Sequence, residues 1–240
     1  MQINEMRKIR IMGDTMCTCE NCQLRSIFFA HVNSEELTNI CDLKVERQYS
    51  KGEIIINEGD PIDEFLYMKE GLVKLSKATL HGKDQIISFS KPFDFVSLLS
   101  VFSSNKYKYS VTAIEETTVC ILQLDMVKKY AQENAMFSMD LMMHISQMTD
   151  KIILDNLDIK RKHLKGRIAH VLLYFSDYIY KKDEFELPIS RREIAEYIGM
   201  TTENVIRTLS EFRKDKIIKI FGKDILIADK KRLQSISEFG

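Results

Sequence analysis

No stretch of this 240-residue sequence comes near the roughly 20 consecutive apolar residues that a membrane-spanning helix needs. The N-terminus, with Arg7, Lys8 and Arg10, also lacks the apolar run of a secretory signal peptide. Cysteine is scarce and odd in number, five in all, which does not fit an extracellular disulfide framework. We therefore expect a cytoplasmic protein with no membrane partner.

The sequence also lacks the motifs of common enzyme classes. It contains no phosphate-binding glycine loop, no H-E-x-x-H zinc motif and no G-x-S-x-G nucleophile elbow. Each of these motifs places reactive groups on one turn or helix. We predict that the protein is not an enzyme.

The formal net charge is zero, but the charges are unevenly distributed along the chain. Residues 160–240 carry 18 Lys and Arg against 12 Asp and Glu, whereas residues 1–159 carry 17 against 23. A basic C-terminal third suits a polyanionic partner, although an ordinary solvated surface can carry a similar excess. The length of the chain allows two domains, each with its own core.

Short apolar runs cut by turn residues follow one another between about residues 43 and 124. Four of the turns contain glycine, which adopts positive φ without strain, as at Gly71. This pattern predicts an antiparallel β-barrel or jelly roll. The predicted strands are residues 54–56, 65–68, 73–76, 85–89, 109–113 and 118–122.

Residues 135–163 contain neither Gly nor Pro, and their apolar residues alternate at spacings of four and three. The spacing predicts a long amphipathic helix. A narrow apolar seam on such a helix is typical of a contact between two copies of a chain; the alternative is that the helix lies on its own barrel. Asp155 falls on the seam, where a buried acid would weaken pairing or set its register. The predicted dimerisation residues are Leu141, Ile145, Met148, Ile152 and Ile159.

Several local signals occur in one order between residues 187 and 228. Ser190 and Glu193 have the spacing of a capping box, which begins a helix, and Gly199 can take the left-handed conformation that ends it. Thr201 can cap a second helix at about residues 202–214, and two β-rich runs around residues 221–224 form a hairpin, or wing. Helix, turn, helix and hairpin together predict a winged helix-turn-helix.

The second helix of this motif carries the residues that we predict to contact DNA bases. Arg207 can donate two hydrogen bonds to guanine, and Glu203, one turn away, can accept one from cytosine. The alternative is an i,i+4 salt bridge between them on a solvated helix. Predicted base contacts are Thr202, Glu203, Ile206 and Arg207, and predicted phosphate contacts are Ser190, Arg191, Arg192, Thr201 and Lys223.

Over nearly its whole length the chain resembles the cyclic-AMP receptor protein and fumarate-nitrate reduction regulator (CRP/FNR) family. The resemblance is carried by residues 51–53, 58–60, 69–71 and 93–95, by I-A-E-Y-I-G at 194–199 and by T-E-N-V-I-R at 202–207. It implies an α+β protein with an N-terminal antiparallel β jelly-roll barrel of the cyclic-nucleotide-binding type (residues 1–134), a long dimerisation helix (135–163) and a C-terminal winged helix-turn-helix (164–240). It also implies a homodimer that binds near-palindromic double-stranded DNA and acts on RNA polymerase.

One departure from the family concerns cyclic nucleotides. Members that bind them carry a Gly-Glu pair and an Arg-Ser pair for the ribose and the phosphate, at places that correspond here to Ser97-Leu98 and Tyr109-Ser110. Without that acid and that arginine, a buried nucleotide anion would lack compensation. We therefore do not expect cyclic AMP or cyclic GMP as a ligand.

A second departure concerns cysteine. Oxygen-sensing members of the family hold an iron–sulfur cluster with cysteines, and the residues that resemble those ligands are Cys17, Cys19, Cys22 and Cys120. Four thiolates suit an iron–sulfur cluster or zinc, although the C-x-C-x-x-C spacing is tighter than that of the family. Three hypotheses stay open: a DNA-binding regulator without a small-molecule effector, a redox- or metal-sensing variant, and a ligand-binding module that does not bind DNA.

Overall fold

The computed structural model describes residues 33, 40, 42–79, 84–92, 94, 96 and 98–240. The strands are β1 (Val45–Tyr49), β2 (Ile54–Ile56), β3 (Glu64–Glu70), β4 (Val73–Ala78), β5 (Asp84–Ser90), β6 (Ser110–Ala113), β7 (Thr117–Gln123), β8 (Glu184–Glu186), β9 (Ile218–Phe221) and β10 (Asp224–Ile227). The helices are α1 (Leu98–Val101), α2 (Leu124–Glu133), α3 (Ala135–Arg161), α4 (Leu164–Leu173), a π-helix (Tyr174–Tyr180), α5 (Arg191–Ile198), α6 (Thr202–Lys214) and α7 (Lys230–Phe239).

Strands β1 to β7 form the predicted barrel from two antiparallel sheets. One sheet has the order β1-β7-β3 and the other β2-β6-β4-β5. Apolar side chains from both sheets meet in one core, which α2 and α3 extend through Val127, Phe137 and Leu141. Strand β1 was not among the predicted strands, because four of its five residues are exposed and the segment shows no apolar alternation.

The corner between β3 and β4 depends on glycine. Gly71 has φ +89°, and a Cβ added there would lie 2.3 Å from the Glu116 carbonyl oxygen and 2.7 Å from the Thr117 Cα. Both of these contacts are with backbone, which cannot rotate away as a side chain can. Only a residue without a Cβ fits this approach of two chain segments.

Helix α3 is present as predicted, but its seam is covered by its own chain. Leu141 is 5% exposed in the barrel core and Ile159 is 3% exposed in the C-terminal core. Ile145, Met148 and Ile152 are half-buried, the first two against the barrel. Leu141 and Ile159 are therefore covered by their own chain, as the alternative interpretation of the seam expects, and a dimer contact through the predicted residues stays a prediction.

A second apolar stripe on α3 faces outward, and we call it the open face. At about 100° per residue its members fall within roughly a third of the helix circumference, opposite the predicted seam. The sequence pattern contained both stripes, and periodicity does not decide which of two stripes meets the barrel. The open face consists of Met136, Met139, Met142, Met143, Ile153, Leu154 and Leu157, all of which are exposed.

The C-terminal part contains the predicted winged helix-turn-helix and two elements that were not predicted. Strand β8 joins the wing in a sheet of order β8-β10-β9, and helix α7 packs against α4 through Leu233 and Ile236. The core of this part also includes Leu72, Ile86 and Phe89 of the barrel, so the barrel and the C-terminal part share buried surface. Within the part of the chain that the structure describes, every helix is too short or too polar to cross a bilayer.

Candidate nucleic-acid interface

Helix α5 begins at the predicted capping box and ends at the predicted glycine. The Glu193 N–H donates to the Ser190 Oγ at 3.2 Å, and the Ser190 N–H donates to the Glu193 Oε2 at 2.8 Å. Gly199 has φ 68°, and the following Met200 N–H donates to the Ala195 carbonyl at 2.9 Å. These local bonds turn the chain between the two helices within a few residues.

Helix α6 has the bounds that the sequence predicts, residues 202–214. The Asn204 N–H donates to the Thr201 Oγ1 at 3.3 Å, which caps the helix. Val205, Leu209 and Phe212 are buried in the C-terminal core, so one face of α6 is fixed against the domain. The opposite face is left available to a partner.

Three of the four predicted base-contacting residues lie on that available face. Glu203 and Arg207 are exposed, Ile206 is 52% exposed, and Thr202 is half-buried in the first turn. The Arg207 Nη2 donates to the Asn204 Oδ1 at 3.1 Å, which holds the guanidinium along the helix surface. A guanidinium that is partly oriented in advance loses less side-chain entropy when it makes a bidentate contact.

Arg191, one of the residues predicted to contact phosphate, links helix α5 to the wing. The Arg191 Nη2 donates to the Gly222 carbonyl at the wing turn, at 3.1 Å. Lys223 follows in the same turn, and its Nζ lies 3.9 Å from the Glu186 Oε1 on β8. Sequence reasoning missed Phe221, which is 67% exposed at the end of β9; the signal was an aromatic residue directly before the turn glycine.

The other predicted phosphate contacts have roles within the domain as well. Arg192 donates through Nε to Glu196 Oε1 at 2.8 Å, a hydrogen bond that raises the pKa of this already permanent cation. The side chain nevertheless remains 70% exposed, and such a surface pair contributes little and is easily exchanged for a phosphate. Ser190 and Thr201 serve as caps, and each also lies at the N-terminus of a helix, where backbone N–H groups favour anions.

Of the four predicted cysteine ligands, Cys17, Cys19 and Cys22 lie outside the described residues. Cys120 is fully buried in β7, and burial raises its pKa to about 12. Among the described residues no group of three or more His, Cys, Asp or Glu could hold a metal ion. One buried thiol does not define a metal site, so the iron–sulfur or zinc hypothesis stays a prediction.

The prediction that cyclic AMP and cyclic GMP are not ligands depends on the residues at two places in the barrel. Ser97 and the side chain of Leu98 lie outside the described residues. At the other place Tyr109 is buried and Ser110 Oγ accepts a hydrogen bond from the Glu58 N–H at 3.0 Å. Neither residue carries the cationic charge that a cyclic phosphate would require there.

Comparison with known proteins gives two domain matches, a cyclic nucleotide-binding domain at residues 46–134 and a Crp-like helix-turn-helix domain at residues 166–236. The chain is 28% identical to the transcriptional activator protein FnrL of Cereibacter sphaeroides, with 90% of each chain covered. It is 26% identical to the nitrogen fixation regulation protein FixK of Bradyrhizobium diazoefficiens, over 91% of this chain and 93% of FixK. The solved structure of FixK2 from Bradyrhizobium japonicum matches with a TM-score of 0.72 at 26% identity, over 80% of this chain and 96% of that one.

Proposed function

We propose that this chain, which belongs to the CRP/FNR family of transcription regulators, binds near-palindromic double-stranded DNA as a homodimer and regulates transcription. The observation that carries the proposal is helix α6, whose inner face is fixed by Val205, Leu209 and Phe212 while its outer face presents charged and polar groups. A helix held in this way is the element that a winged helix-turn-helix inserts into the major groove.

In this proposal the N-terminal half of α6 enters the groove. Arg207 donates two hydrogen bonds to the O6 and N7 of a guanine, and Glu203 accepts one from a cytosine amino group. Thr202 and Ile206 contact neighbouring base edges, Ile206 through its exposed apolar surface. These four residues therefore supply the sequence preference, which phosphate contacts do not.

Phosphate contacts would fix the orientation of the domain on the duplex. Arg191 donates to the carbonyl of Gly222, the residue before Lys223 in the wing turn, and Arg192 is 70% exposed in the first turn of α5. Ser190 and Thr201 are the N-caps of α5 and α6. Anionic oxygens bind there to N–H groups and to the positive ends of the helix dipoles.

The homodimer requires a surface that is the same in both copies, and we assign the open face of α3 to it. Exposed apolar residues at Met139, Met143, Ile153 and Leu157 would be unfavourable in water on an isolated chain. A second α3 related by a two-fold axis would cover them, because an isologous contact pairs one stripe with itself. The two recognition helices would then face half-sites about one helical turn, or ~34 Å, apart.

Membership of the family also suggests a protein partner and the kind of effector that the barrel binds. We propose RNA polymerase as a protein partner, since the relative FnrL is described as a transcriptional activator. We propose that regulation does not use a cyclic nucleotide, because Tyr109 and Ser110 stand where the phosphate-binding pair would be. A cysteine-bound cluster or zinc is the second candidate for an effector, and Cys120 is the member of its predicted ligand set that lies among the described residues.

The proposal is tested by selecting DNA from a random duplex library with the purified full-length chain and measuring affinity by fluorescence anisotropy. Arg207→Ala should weaken binding to the selected site by about 1–3 kcal/mol, or roughly 5- to 150-fold, and relax the preference at one base pair. Arg213→Ala, in the last turn of α6, is the matched control and should leave that preference unchanged. Failure of the wild-type chain to select any DNA would exclude the function, and equal effects of both variants would exclude the role of Arg207.

A further inference from the structure

A partly buried ion pair joins the barrel to the helix-turn-helix. The Lys74 Nζ on β4 lies 2.5 Å from the Glu193 Oε1 on α5, and the side chains are 15% and 22% exposed. Glu193 is the capping-box acid, and its other oxygen, Oε2, accepts from the Ser190 N–H. One carboxylate therefore begins the first helix of the DNA-binding motif and ties that helix to the barrel.

The electrostatics of Glu193 agree with this geometry. Burial acts to raise its pKa, but the hydrogen bonds from Lys74 and Ser190 outweigh burial, and the net pKa lies below the usual value. The carboxylate is thus charged at neutral pH and engaged on both of its oxygens. A charged pair of this kind has strict distance requirements, so it favours one placement of α5 over nearby ones.

Apolar contacts lie beside the ion pair. The Phe89 ring of β5 meets the Tyr197 ring of α5 edge to face, with centroids 4.9 Å apart, and the Phe175 ring at 5.3 Å. All three residues are buried. The aromatic contact supplies attraction between the two parts, while the ion pair at its side fixes the direction in which α5 points.

We propose that Lys74 is a positioning residue for DNA binding: through Glu193 it holds α5, and with it the recognition helix α6, in one orientation on the barrel. This inference rests on the proposed function. In the docked arrangement Ile206 is 52% exposed and Arg207 is exposed, so docking leaves the base-contacting face open to DNA.

Orientation matters because a dimer must place two recognition helices at one separation. Two residues, Lys162 and His163, lie between α3 and α4, and a joint that short still allows rotation about its backbone dihedrals. Without docking, each DNA-binding domain would lose this rotational freedom only on binding, at an entropic cost. Docking by Lys74 removes part of that entropic cost before DNA binds. The resulting gain in affinity appears only on a duplex where both half-sites are bound.

The test compares full-length Lys74→Met with Lys77→Met on three duplexes. Lys77 lies on the same strand, is 53% exposed and pairs with Glu58 inside the barrel domain, so it is a matched control. The duplexes carry two half-sites at the selected spacing, the same half-sites moved apart by about half a helical turn, or ~5 base pairs, and one half-site. Fluorescence anisotropy gives the affinities, and circular dichroism confirms that each variant is folded.

We expect Lys74→Met to weaken binding to the two-half-site duplex roughly tenfold, to reduce the discrimination against the shifted spacing, and to leave single half-site affinity unchanged. Lys77→Met should match the wild type on all three duplexes. Equal loss on every duplex, or no loss on any, would overturn the positioning role while leaving the proposed function intact. Wild-type protein that binds none of the duplexes would overturn the proposed function, and this inference with it.

Glu193→Gln provides a second route should Lys74→Met fail to fold. The amide oxygen can still accept from the Ser190 N–H, so the cap is retained while the charge that attracts Lys74 is removed. Glu193→Gln should reproduce the spacing-dependent loss, and the double variant with Lys74→Met should be no weaker than either single one. Additive losses in the double variant would show that the two residues act separately and would overturn the proposal.

Discussion

Leu154 distinguishes the two apolar stripes of α3. It lies on the open face and is 61% exposed, so a second copy would have that surface to cover. Complete burial of a leucine side chain contributes about 1.5–3 kcal/mol. Leu154→Ala should therefore remove about 1–1.5 kcal/mol from each copy. Because a two-fold contact contains the residue twice, the dimer should lose about 2–3 kcal/mol, which raises its dissociation constant roughly 30- to 150-fold.

Leu141→Ala is the matched control, since Leu141 lies on the same helix but is 5% exposed in the barrel core. It should lower the free energy of unfolding by about 2–5 kcal/mol through the cavity that it creates, with little change in the dimer dissociation constant of the folded chain. Sedimentation velocity over a concentration series measures dissociation, and urea unfolding at one fixed protein concentration measures stability, which depends on concentration in a dimer. An unchanged dissociation constant in Leu154→Ala, with weaker dimers in Ile145→Ala or Ile152→Ala, would refute the assignment of the open face.

Two further predictions concern the barrel. Gly71→Ala should lower the free energy of unfolding by more than about 3 kcal/mol, because left-handed strain adds to a 2.3 Å contact with the Glu116 carbonyl oxygen. The control Gly222→Ala, with φ +64° and open space around it, should cost only about 1 kcal/mol. Similar urea midpoints for the two variants would contradict the role of the Glu116 contact. Burial raises the pKa of Cys120 to about 12, and the thiolate is the reactive form of cysteine. Iodoacetamide at about pH 8 should therefore leave Cys120 unlabelled in the native chain and label it in guanidinium chloride, as measured by mass spectrometry of the peptide that contains it. Rapid labelling of the native chain would show that the thiol is accessible.

The helix-turn-helix followed from the sequence because each of its signals is local. The Ser190 and Glu193 cap, the left-handed Gly199 and the Thr201 cap each act within about four residues, so neighbouring residues alone determine them. The barrel corners were predictable for the same reason, as at Gly71. Strand β1 was missed because its pairing with β7, and not any alternation of its own, makes it a strand.

Tertiary structure alone decided which surfaces of the predicted elements are used. Two apolar stripes run along α3, and periodicity identified a seam without showing whether the barrel or a second copy covers it. In the folded chain the barrel covers Leu141, whereas Leu154 on the other stripe is exposed. The pair of Lys74 and Glu193 joins residues 119 positions apart in the chain. Each of the two residues alone looks like an ordinary surface charge, because a contact over that separation exists only after the barrel and the DNA-binding domain have folded and docked.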